Sequence, residues 1–472
     1  MLEAVNQVLG KIDNFIWGIP LIVLILATGI FLTIRLGGLQ ILHLKKALYY
    51  IFHNEEDGTG EVTSFGALCT ALSATIGTGN IVGCATAIVA GGPGAMFWMW
   101  LAALFGMATK YAEGMLAVKY RVIAEDGHAL GGPFYYIERG MGKNWKWLAK
   151  LFCVFGTMVG LFGIGTFTQV NGITSAVNGF FDPKNLHTVE LFGRSYSWSI
   201  VIAGIILTIC VGLVVIGGIK RISKVSEIIV PFMAVTYIAI CLIIVVTHLP
   251  QIPSAFVEII QSAFGLRAAA GGAIGAMIVA MQKGIARGIF SNEAGLGSAP
   301  IAAAAAQTNE PVRQGLVSMT GTFIDTIVVC TMTGLSIVMT GAWDMGLDGV
   351  NVTTKAFAIG LPFPEQFSSF LLMMCLVFFA FTTILGWDYY SERCLEYLTN
   401  GKHKVVMVFK WLYILAVFIG PFMTVEAVWT IADICNGLMA LPNLIALLAL
   451  NGVVVEETKD YFYRLKKEGR TK

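Results

Sequence analysis

Charged residues are scarce in this chain. Asp, Glu, Lys and Arg make up 13% of its 472 residues, 56% are hydrophobic, and the mean hydropathy is +0.76. So few charges cannot cover the surface of a water-soluble protein of this size, which excludes the soluble classes. The net charge of +2 carries little information about partners, and we expect no nucleic-acid partner. The sequence therefore predicts a polytopic protein embedded in the lipid bilayer.

The chain also lacks patterned cysteine and histidine. Its nine cysteines form no CxxC pair and no cluster with histidine, which argues against a disulfide framework and a zinc site. The six histidines fall in loops or near the ends of apolar segments, and neither GxSxG nor HExxH occurs. We therefore expect no enzyme. A channel is also disfavoured, because no selectivity-filter motif is present.

Long apolar segments fill the chain instead. A membrane-spanning helix needs about 20 mostly apolar residues, and about eleven segments qualify. They run over residues 15–34, 64–90, 94–120, 147–177, 198–218, 225–248, 268–290, 314–341, 366–391, 405–423 and 425–450. The connections between them are too short for a soluble domain, so residues 1–472 are expected to form one membrane domain.

The distribution of cations predicts the orientation. With the N-terminus outside, most of the 31 Lys and Arg lie on the cytoplasmic side, as the positive-inside rule requires. The external cations are then Lys11, Lys184, Arg194, Arg267 and Lys355. No cleavable signal precedes the first segment, which we expect to be retained. The tail 451–472 is predicted to be a cytoplasmic, short solvated helix near lipid headgroups.

Small residues interrupt two of the apolar segments. Residues 70–83 read TALSATIGTGNIVG, in which Gly77 and Gly79 lie among small hydroxyl residues. Residues 268–276 read AAAGGAIGA. A helix broken within a membrane exposes N–H and C=O groups that must be buried in protein or face a watery cavity, so the breaks predict a binding site. Close helix packing is the alternative interpretation of such glycines.

The two interruptions predict an internal repeat. Interrupted segments at corresponding positions of two halves are typical of an inverted repeat of five plus five helices. The first repeat would cover residues 64–248 and the second residues 268–450, with residues 15–34 as an extra, peripheral helix. Substrate and ion would then bind at the breaks, near the middle of the bilayer.

Five blocks resemble the alanine or glycine:cation symporter family of bacteria and archaea. They are residues 73–81 (SATIGTGNI), 91–100 (GGPGAMFWMW), 107–113 (MATKYAE), 284–300 (GIARGIFSNEAGLGSAP) and 382–387 (TTILGW). The resemblance implies an all-α secondary transporter of the amino acid–polyamine–organocation superfamily, with a leucine-transporter-like fold, in the inner membrane of a prokaryote. It also implies alanine or glycine as the substrate, coupled to sodium or, in some members, to protons.

The breaks are the expected substrate site. The N-terminal end of a half-helix offers N–H groups and a positive dipole end to a carboxylate, while freed carbonyls suit an ammonium. We expect the substrate carboxylate at Thr78, Gly79 and Asn80. The second break is expected to line the site with Gly271, Gly272 and Gly275.

Two further side chains are candidate substrate contacts. Gln169 is an uncharged amide within an apolar helix, and the resemblance places that helix against the substrate. Its alternative role is a hydrogen bond between helices. Trp387 follows Thr383 by one helical turn and would cap the pocket, which would then admit only a small side chain. Its alternative role is in an aromatic belt at the membrane surface.

The sodium ligands follow from alignment with the leucine-transporter-like fold. Sodium prefers several oxygens, and carbonyls and hydroxyls replace its water without a counter-charge. The resemblance assigns the hydroxyls of Thr382 and Thr383 and the carbonyls of Ser73, Ile76 and Phe379. A buried threonine hydroxyl can instead bond back to its own helix.

Ionisable residues within spans are costly in lipid and are functional candidates by default. Asp325 is the deepest of them, and proton coupling through it is the alternative mechanism. Glu113 and Asp388 lie near cytoplasmic span ends beside Lys110 and Arg393, and we expect them to form salt bridges or gating contacts.

The sequence thus predicts a sodium-coupled symporter for alanine, glycine or a similarly small amino acid, working by alternating access as a monomer. The segment 287–300 has two open roles, as a gate hinge or as the N-terminal cap of the next helix.

Overall fold

The computed structural model describes residues 2–53, 58–124, 128–191, 194–266, 272–423 and 426–468. In these residues the chain is almost entirely helical. The helices up to the middle of the chain are α1 (Leu2–Ile16), α2 (Ile19–Arg35), α3 (Leu39–Leu42), α4 (Leu44–Phe52), α5 (Ser64–Thr75), α6 (Cys84–Gly91), α7 (Ala95–Lys119), α8 (Pro133–Tyr136), α9 (Lys146–Phe162), α10 (Phe167–Phe181), α11 (Trp198–Val215) and α12 (Gly218–Thr247).

The second half continues the bundle. Its helices are α13 (Ile252–Ala263), α14 (Ala273–Asn292), α15 (Ala299–Ala303), α16 (Pro311–Thr322), α17 (Thr331–Thr340), α18 (Val350–Gly360), α19 (Glu365–Leu398), α20 (His403–Ile419), α21 (Glu426–Ala449) and α22 (Asn451–Lys467).

Irregular helix and two hairpins complete the secondary structure. The π-helical segments are Gly79–Gly83, Ile137–Met141 and Phe323–Cys330, and the 3-10 turns are Lys143–Trp145, Leu249–Gln251, Ala342–Asp344 and Gly420–Phe422. The antiparallel strand pairs are β1 (Val122–Ile123) with β2 (Ala129–Leu130) and β3 (Thr188–Leu191) with β4 (Arg194–Ser197).

Among the described residues, nine helical segments are long and apolar enough to cross a membrane, or ten if the bent pair α5 and α6 is one span. The remaining predicted span, residues 94–120, coincides with α7. That helix has 25 residues, about 37 Å at 1.5 Å per residue, which is long enough to cross a bilayer. It carries Lys110 and Glu113 in its interior. The total of eleven spans stays a prediction.

Two further predicted spans are interrupted, besides the one that contains α5 and α6. A turn at Trp17 and Gly18 separates α1 from α2 within the first, and residues 163–166 separate α9 from α10 within the span predicted at 147–177. Gly165 permits a close approach in the second interruption, because a Cβ atom there would lie 2.7 Å from the Cβ of Trp387.

The longest helix, α19, lies at the centre of the bundle. It contacts α5, α9, α10 and α12, and the stretch from Thr382 to Cys394 is buried. Gly386 lets α19 pack directly against α5, since a Cβ atom there would lie 2.7 Å from both the Cβ and the amide nitrogen of Ala74. This contact sets the middle of α19 beside the end of α5.

The tail was predicted to be a solvated helix, and that prediction is only half right. A helix forms, α22, but one face of it packs against the bundle through buried Val454, Thr458 and Tyr461. The Tyr461 hydroxyl lies 2.8 Å from that of Tyr50 on α4, and the Thr458 hydroxyl lies 2.6 Å from that of Tyr111 on α7. Buried residues spaced four and three apart form this face. The prediction considered only the charges of the tail and so did not identify it.

Candidate functional site

The first predicted break is present. Helix α5 ends at Thr75, the chain bends by 54°, and helix resumes at Gly79. The N–H of Gly77, which would continue the ladder by donating to the carbonyl of Ser73, donates to Asn80 Oδ1 at 2.9 Å. The last carbonyls of α5 are thereby released from the helix inside an apolar bundle.

The predicted ion ligands of α19 meet this break. Thr383 Oγ1 lies 3.4 Å from the carbonyl oxygen of Ile76 and 3.0 Å from that of Phe379. The hydroxyl of Thr382 also approaches the Phe379 carbonyl, at 3.0 Å. Both hydroxyls therefore bond back to their own helix, as the alternative interpretation predicted, and only Thr383 also bridges to the break. The structure brings four of the five predicted oxygens near one another.

Gly77 makes this meeting possible. A Cβ atom on residue 77 would lie 2.5 Å from Thr383 Oγ1 and 3.6 Å from Gln169 Oε1. Only a residue without a side chain lets the break approach α19 and α10 so closely.

Gln169 faces the break with an unused acceptor. Its side chain is 2% exposed, and its Oε1 has no hydrogen-bond partner in the described part of the chain. A buried carbonyl oxygen without a partner costs about 1–3 kcal/mol, so this position favours a ligand or water as the missing donor. The amide does not serve as interhelical glue through Oε1.

Thr78 contacts the same helix. The methyl group of Thr78 lies 2.9 Å from the position that a Cβ atom added to Gly172 of α10 would take. The side-chain amide of Asn80 is engaged within the protein, and its backbone N–H donates to the Gly77 carbonyl at 3.2 Å, so a carboxylate at Asn80 stays a prediction. Its Oδ1 accepts from Gly77, and its Nδ2 donates to Asp325 Oδ1 at 2.8 Å. Asn80 therefore holds the break in shape.

Among the described residues of the predicted second break, 272–276, the chain enters a helix and no break follows. Gly272 only precedes α14, and Gly275 lies inside this uninterrupted helix, exposed and with no heavy atom within 4 Å of an added Cβ. About 25 Å of helix separates Gly275 from Asn292 at 1.5 Å per residue. Gly271 lies outside the described residues.

The interruption falls instead at residues 293–298, between α14 and α15. Glu293, Gly295 and Gly297 have φ angles of +55°, +91° and +83°, in the left-handed region that favours glycine. The composition of residues 268–276 misled the prediction, because small residues also occur in unbroken membrane helices, where they allow close packing, whereas the left-handed residues at 293, 295 and 297 end the helix.

Trp387 connects α19 to this second break. Its side chain is fully buried, so it does not belong to an aromatic belt at the membrane surface. Its Nε1 donates to Glu293 Oε1 at 3.1 Å, and the other oxygen of Glu293 accepts from the Ser298 hydroxyl. The sequence indicated Glu293 only as part of the segment 287–300, with a hinge or a helix cap as its role. Its place in a Gly-rich turn directly after an apolar helix was the signal for it.

Other buried polar groups hold the second break. The N–H of Gly295 donates to Glu113 Oε1 at 3.1 Å, and Asn443 Nδ2 donates to the same oxygen at 2.6 Å and to the Gly295 carbonyl at 2.9 Å. Glu113 therefore braces a turn, whereas a salt bridge beside Lys110 was one of its two predicted roles. Asn443, which the analysis missed, shows no sequence signal beyond being a polar residue in an apolar span.

Asp388 and Arg393 do not pair either. Both carboxylate oxygens of Asp388 lack a hydrogen-bond partner among the described residues, while Arg393 pairs with Glu392 at 2.8 Å and Glu396 at 2.6 Å. Glu392 and Glu396, one and three residues from Arg393 on α19, reach its guanidinium. Asp388 lies five residues away and does not.

Asp325 joins the two breaks. It lies in the π-helical segment Phe323–Cys330 and is fully buried. Its carboxylate accepts from Asn80 at 2.8 Å, from the Ser291 hydroxyl at 2.8 Å and from the Thr326 hydroxyl at 2.7 Å. Asn80 follows the first break and Ser291 precedes the second, so this one side chain fixes their relative position.

Buried polar groups between two broken helices, inside an apolar bundle, are the arrangement of a secondary transporter. The comparisons agree with this class. The model of the sodium:alanine symporter family matches residues 2–472, and the chain belongs to this family. It is therefore a membrane transporter.

Relatives match over their full lengths. An uncharacterized transporter of Haemophilus influenzae is 55% identical over 98% of this chain and 97% of its own. The sodium/alanine symporter AgcS of Methanococcus maripaludis is 46% identical over 98% of this chain and 99% of its own. The probable sodium/glutamine symporter GlnT of Bacillus subtilis is 36% identical over 100% of this chain and 93% of its own.

A solved structure shows the fold. MhsT in complex with L-phenylalanine has a TM-score of 0.57, covering 83% of this chain and 89% of its own at 13% identity. The predicted leucine-transporter-like fold is confirmed, while the limits of the two repeats stay predictions.

Proposed function

We propose that the protein carries a small amino acid, alanine or glycine in the first place, into the cell together with a sodium ion. The observation that supports this most directly is the first break, where the carbonyl of Ile76, the hydroxyl of Thr383 and the unpartnered oxygen of Gln169 lie side by side. Neutral oxygens close together suit a monovalent metal ion and an ammonium.

The ion is assigned to the contact between α5 and α19. Sodium would be held by the hydroxyls of Thr382 and Thr383 and the carbonyls of Ser73, Ile76 and Phe379. The positive charge of the bound ion would draw the two helices together. A bound ion would stabilise the bent form of α5, so ion and substrate should each raise the affinity for the other.

The substrate is assigned to the space between the break and α10. Since Asn80 is engaged elsewhere, Thr78 and Gly79 are the groups left for the carboxylate, at the start of the π-helical segment Gly79–Gly83. The oxygen of Gln169 would accept from the ammonium. Trp387, one turn after Thr383 on α19, would limit the size of the side chain.

Alternating access requires that one side be closed at a time, and the structure shows a closure beside α22. The N–H of Glu61 donates to Ala305 O at 2.8 Å, and Val62 forms an isolated parallel bridge with Ala306. Arg121 donates to the carbonyls of Thr59, Ala304, Ala306 and Thr308. These bonds tie the chain before α5 to the chain after α15. We assign this side to the cytoplasm of a prokaryotic cell, with the N-terminus outside.

Proton coupling through Asp325 is the second candidate. A Bacillus subtilis relative, 36% identical, is described as a putative sodium/proton-dependent alanine carrier. The three donors around Asp325 favour a bracing role over proton transfer, because a carboxylate that gains a proton would lose some of these bonds.

Uptake of radiolabelled alanine into proteoliposomes of the purified chain tests the proposal. An inward sodium gradient and an inward proton gradient are compared at matched voltage. Accumulation with sodium alone supports the proposed coupling. Accumulation with protons alone transfers the coupling role to Asp325, and accumulation with neither rejects alanine as the substrate.

A further inference from the structure

A groove on the outer face of the bundle lies apart from the central site. It has a volume of about 730 Å³ and runs between α10, α11, α12 and α19. Among the described residues that line it, Asp182, His187 and Ser199 are polar and the others are hydrophobic. None of the residues assigned to the substrate or to sodium belongs to this lining.

The polar residues all lie at one end of the groove. Asp182 directly follows α10, and Ser199 is the second residue of α11, so both lie at the same surface of the membrane. The carboxylate of Asp182 accepts from the N–H groups of Leu186 and His187 and from the Ser197 hydroxyl. The groove therefore has a polar mouth at the membrane surface and an apolar interior.

The groove is as deep as one leaflet of the bilayer. Along α11 its lining extends from Ser199 to Cys210, which is about 17 Å of helix at 1.5 Å per residue. The hydrocarbon core of a bilayer is about 30 Å thick, so one leaflet accounts for about 15 Å of it. Ile202 and Ile206 on the rim are 51% and 57% exposed, so the groove opens sideways toward lipid. An acyl chain of this leaflet matches the groove in length and can enter it from the side.

Lipid is the occupant that this position favours. Trp198, half exposed at the mouth, has the amphipathic ring that is typical of headgroup depth. Water does not suit the interior, because a buried water needs two to four polar partners and the interior is apolar. An empty groove would forfeit the van der Waals contacts of the side chains that line it. An acyl chain supplies these contacts and has no hydration shell to lose.

The inner end of the groove adjoins the proposed ion site. Phe378 and Phe381 of α19 line it, and the carbonyl of Phe378 accepts from the Thr382 hydroxyl at 3.2 Å. On α12, Ile229 lines the groove one turn before Met233, whose sulfur lies 3.5 Å from the same hydroxyl oxygen. Two helices that contact the Thr382 hydroxyl therefore also border the groove, so its occupant can affect the position of this hydroxyl.

We infer that this groove binds one acyl chain of a phospholipid, from the leaflet on the side of the β3–β4 hairpin, with the headgroup at the polar mouth. The bound chain supports α12 and α19 beside Thr382 and so stabilises the sodium site. The lipid site itself does not depend on which solute is carried, whereas the effect on sodium rests on the proposed function.

The first test identifies and counts the bound molecule by native mass spectrometry of the purified full chain in detergent, after addition of a phospholipid of known mass. We expect one retained phospholipid in the native chain and none in Ala203→Trp, whose ring would fill the groove from α11. Val377→Trp fills it from α19 and should lose the lipid too, which keeps the test decisive if Ala203→Trp does not fold.

The matched control is Ile205→Trp, at an exposed position of the same helix outside the groove, and it should keep the phospholipid. Equal retention in all forms, or no retention in the native chain, would overturn the inference. A retained free fatty acid or detergent in place of the phospholipid would overturn it as well, and the measured mass distinguishes these sources.

The second test measures the effect on the ion, as the sodium concentration that gives half of the maximal rise in melting temperature. Removal of lipid should raise this concentration severalfold in the native chain and in Ile205→Trp, and added phospholipid should reverse the change. Ala203→Trp should not respond to lipid, because its ring takes the place of the acyl chain.

An equal response to lipid in Ala203→Trp would overturn the link between the groove and the ion. If sodium stabilises none of the forms, the proposed sodium coupling fails together with this link. The first test decides the lipid site in either case, because the count of retained phospholipid does not involve sodium.

Discussion

Uncharged groups make up the central site. The carbonyl of Ile76, the hydroxyl of Thr383 and the amide of Gln169 carry no charge that would have to be buried when the site is empty. Unpaired charge is costly inside a membrane, whereas neutral dipoles exchange one ligand for another at little cost. The carboxyl side chains nearby, Glu113 and Asp325, accept several hydrogen bonds and act as braces.

The close approach at Gly77 gives a steric prediction. Gly77→Ala should abolish uptake in proteoliposomes, because its Cβ atom would lie 2.5 Å from Thr383 Oγ1 and push α19 from the break. The matched control is Gly83→Ala, in the same span, where an added Cβ meets nothing within 4 Å. Equal transport by both variants would show that the break does not need this contact.

The hydroxyl of Thr383 gives a prediction for the ion. Thr383→Ala should raise the sodium concentration needed for half-maximal alanine uptake by about tenfold, which corresponds to ~1.4 kcal/mol. Thr383→Ser keeps the hydroxyl and should stay close to the native value. Unchanged sodium dependence in Thr383→Ala would remove the residue from the ion site.

Gln169 gives a prediction for the substrate. Gln169→Leu should weaken alanine binding about tenfold, since the ammonium would lose one charge-assisted acceptor. Thermal stability in detergent should not fall, because the lost oxygen has no partner within the described protein. A fall in stability with native uptake kinetics would instead assign the amide to helix packing.

At the scale of elements, the two broken helices are coupled through one carboxylate. Asp325 accepts from Asn80 after the first break and from Ser291 before the second. A shift of either broken helix must therefore stretch or exchange these bonds. Such a shared acceptor lets the two breaks move as a unit, which a transporter with one site between them requires.

Removing Asn80 tests this coupling. Asn80→Ala deletes the acceptor for the Gly77 N–H and a donor to Asp325, and a buried group left unsatisfied costs about 1–3 kcal/mol. We expect a lower melting temperature in detergent together with a loss of uptake. Asn351→Ala, at an exposed position of α18, is the control and should change neither. A stable, inactive Asn80→Ala protein would assign Asn80 to the substrate instead.

At the scale of the whole molecule, the closure beside α22 joins segments far apart in sequence. Arg121, at the end of α7, holds carbonyls from the chain before α5 and after α15. Each bond is modest in free energy, but opening this side must break all of them together. These bonds favour a state closed toward α22.

Arg121→Ala should shift the population toward a state open on that side. Ser318 on α16 lines a small internal cavity with Lys110 and Gln314, so a Ser318→Cys thiol reports on access from there. Its modification by a water-soluble reagent should be severalfold faster in Arg121→Ala. Lys119→Ala, which breaks an exposed pair with Glu457, is the control. No change in rate would mean that the backbone bridge alone keeps this side closed.

The sequence by itself determined the class of protein and the first break, and the resemblance to the family added the α5–α19 contact. Composition shows that the chain lies in lipid, and the small and hydroxyl residues around Gly77 mark the break, so both features are read from nearby residues. Where the second break falls was decided by tertiary structure, since Glu113, Asn443 and Trp387 hold residues 293–298 from three other helices. Likewise, only packing showed that Asn80 serves Asp325, because partners 245 residues apart meet through the fold.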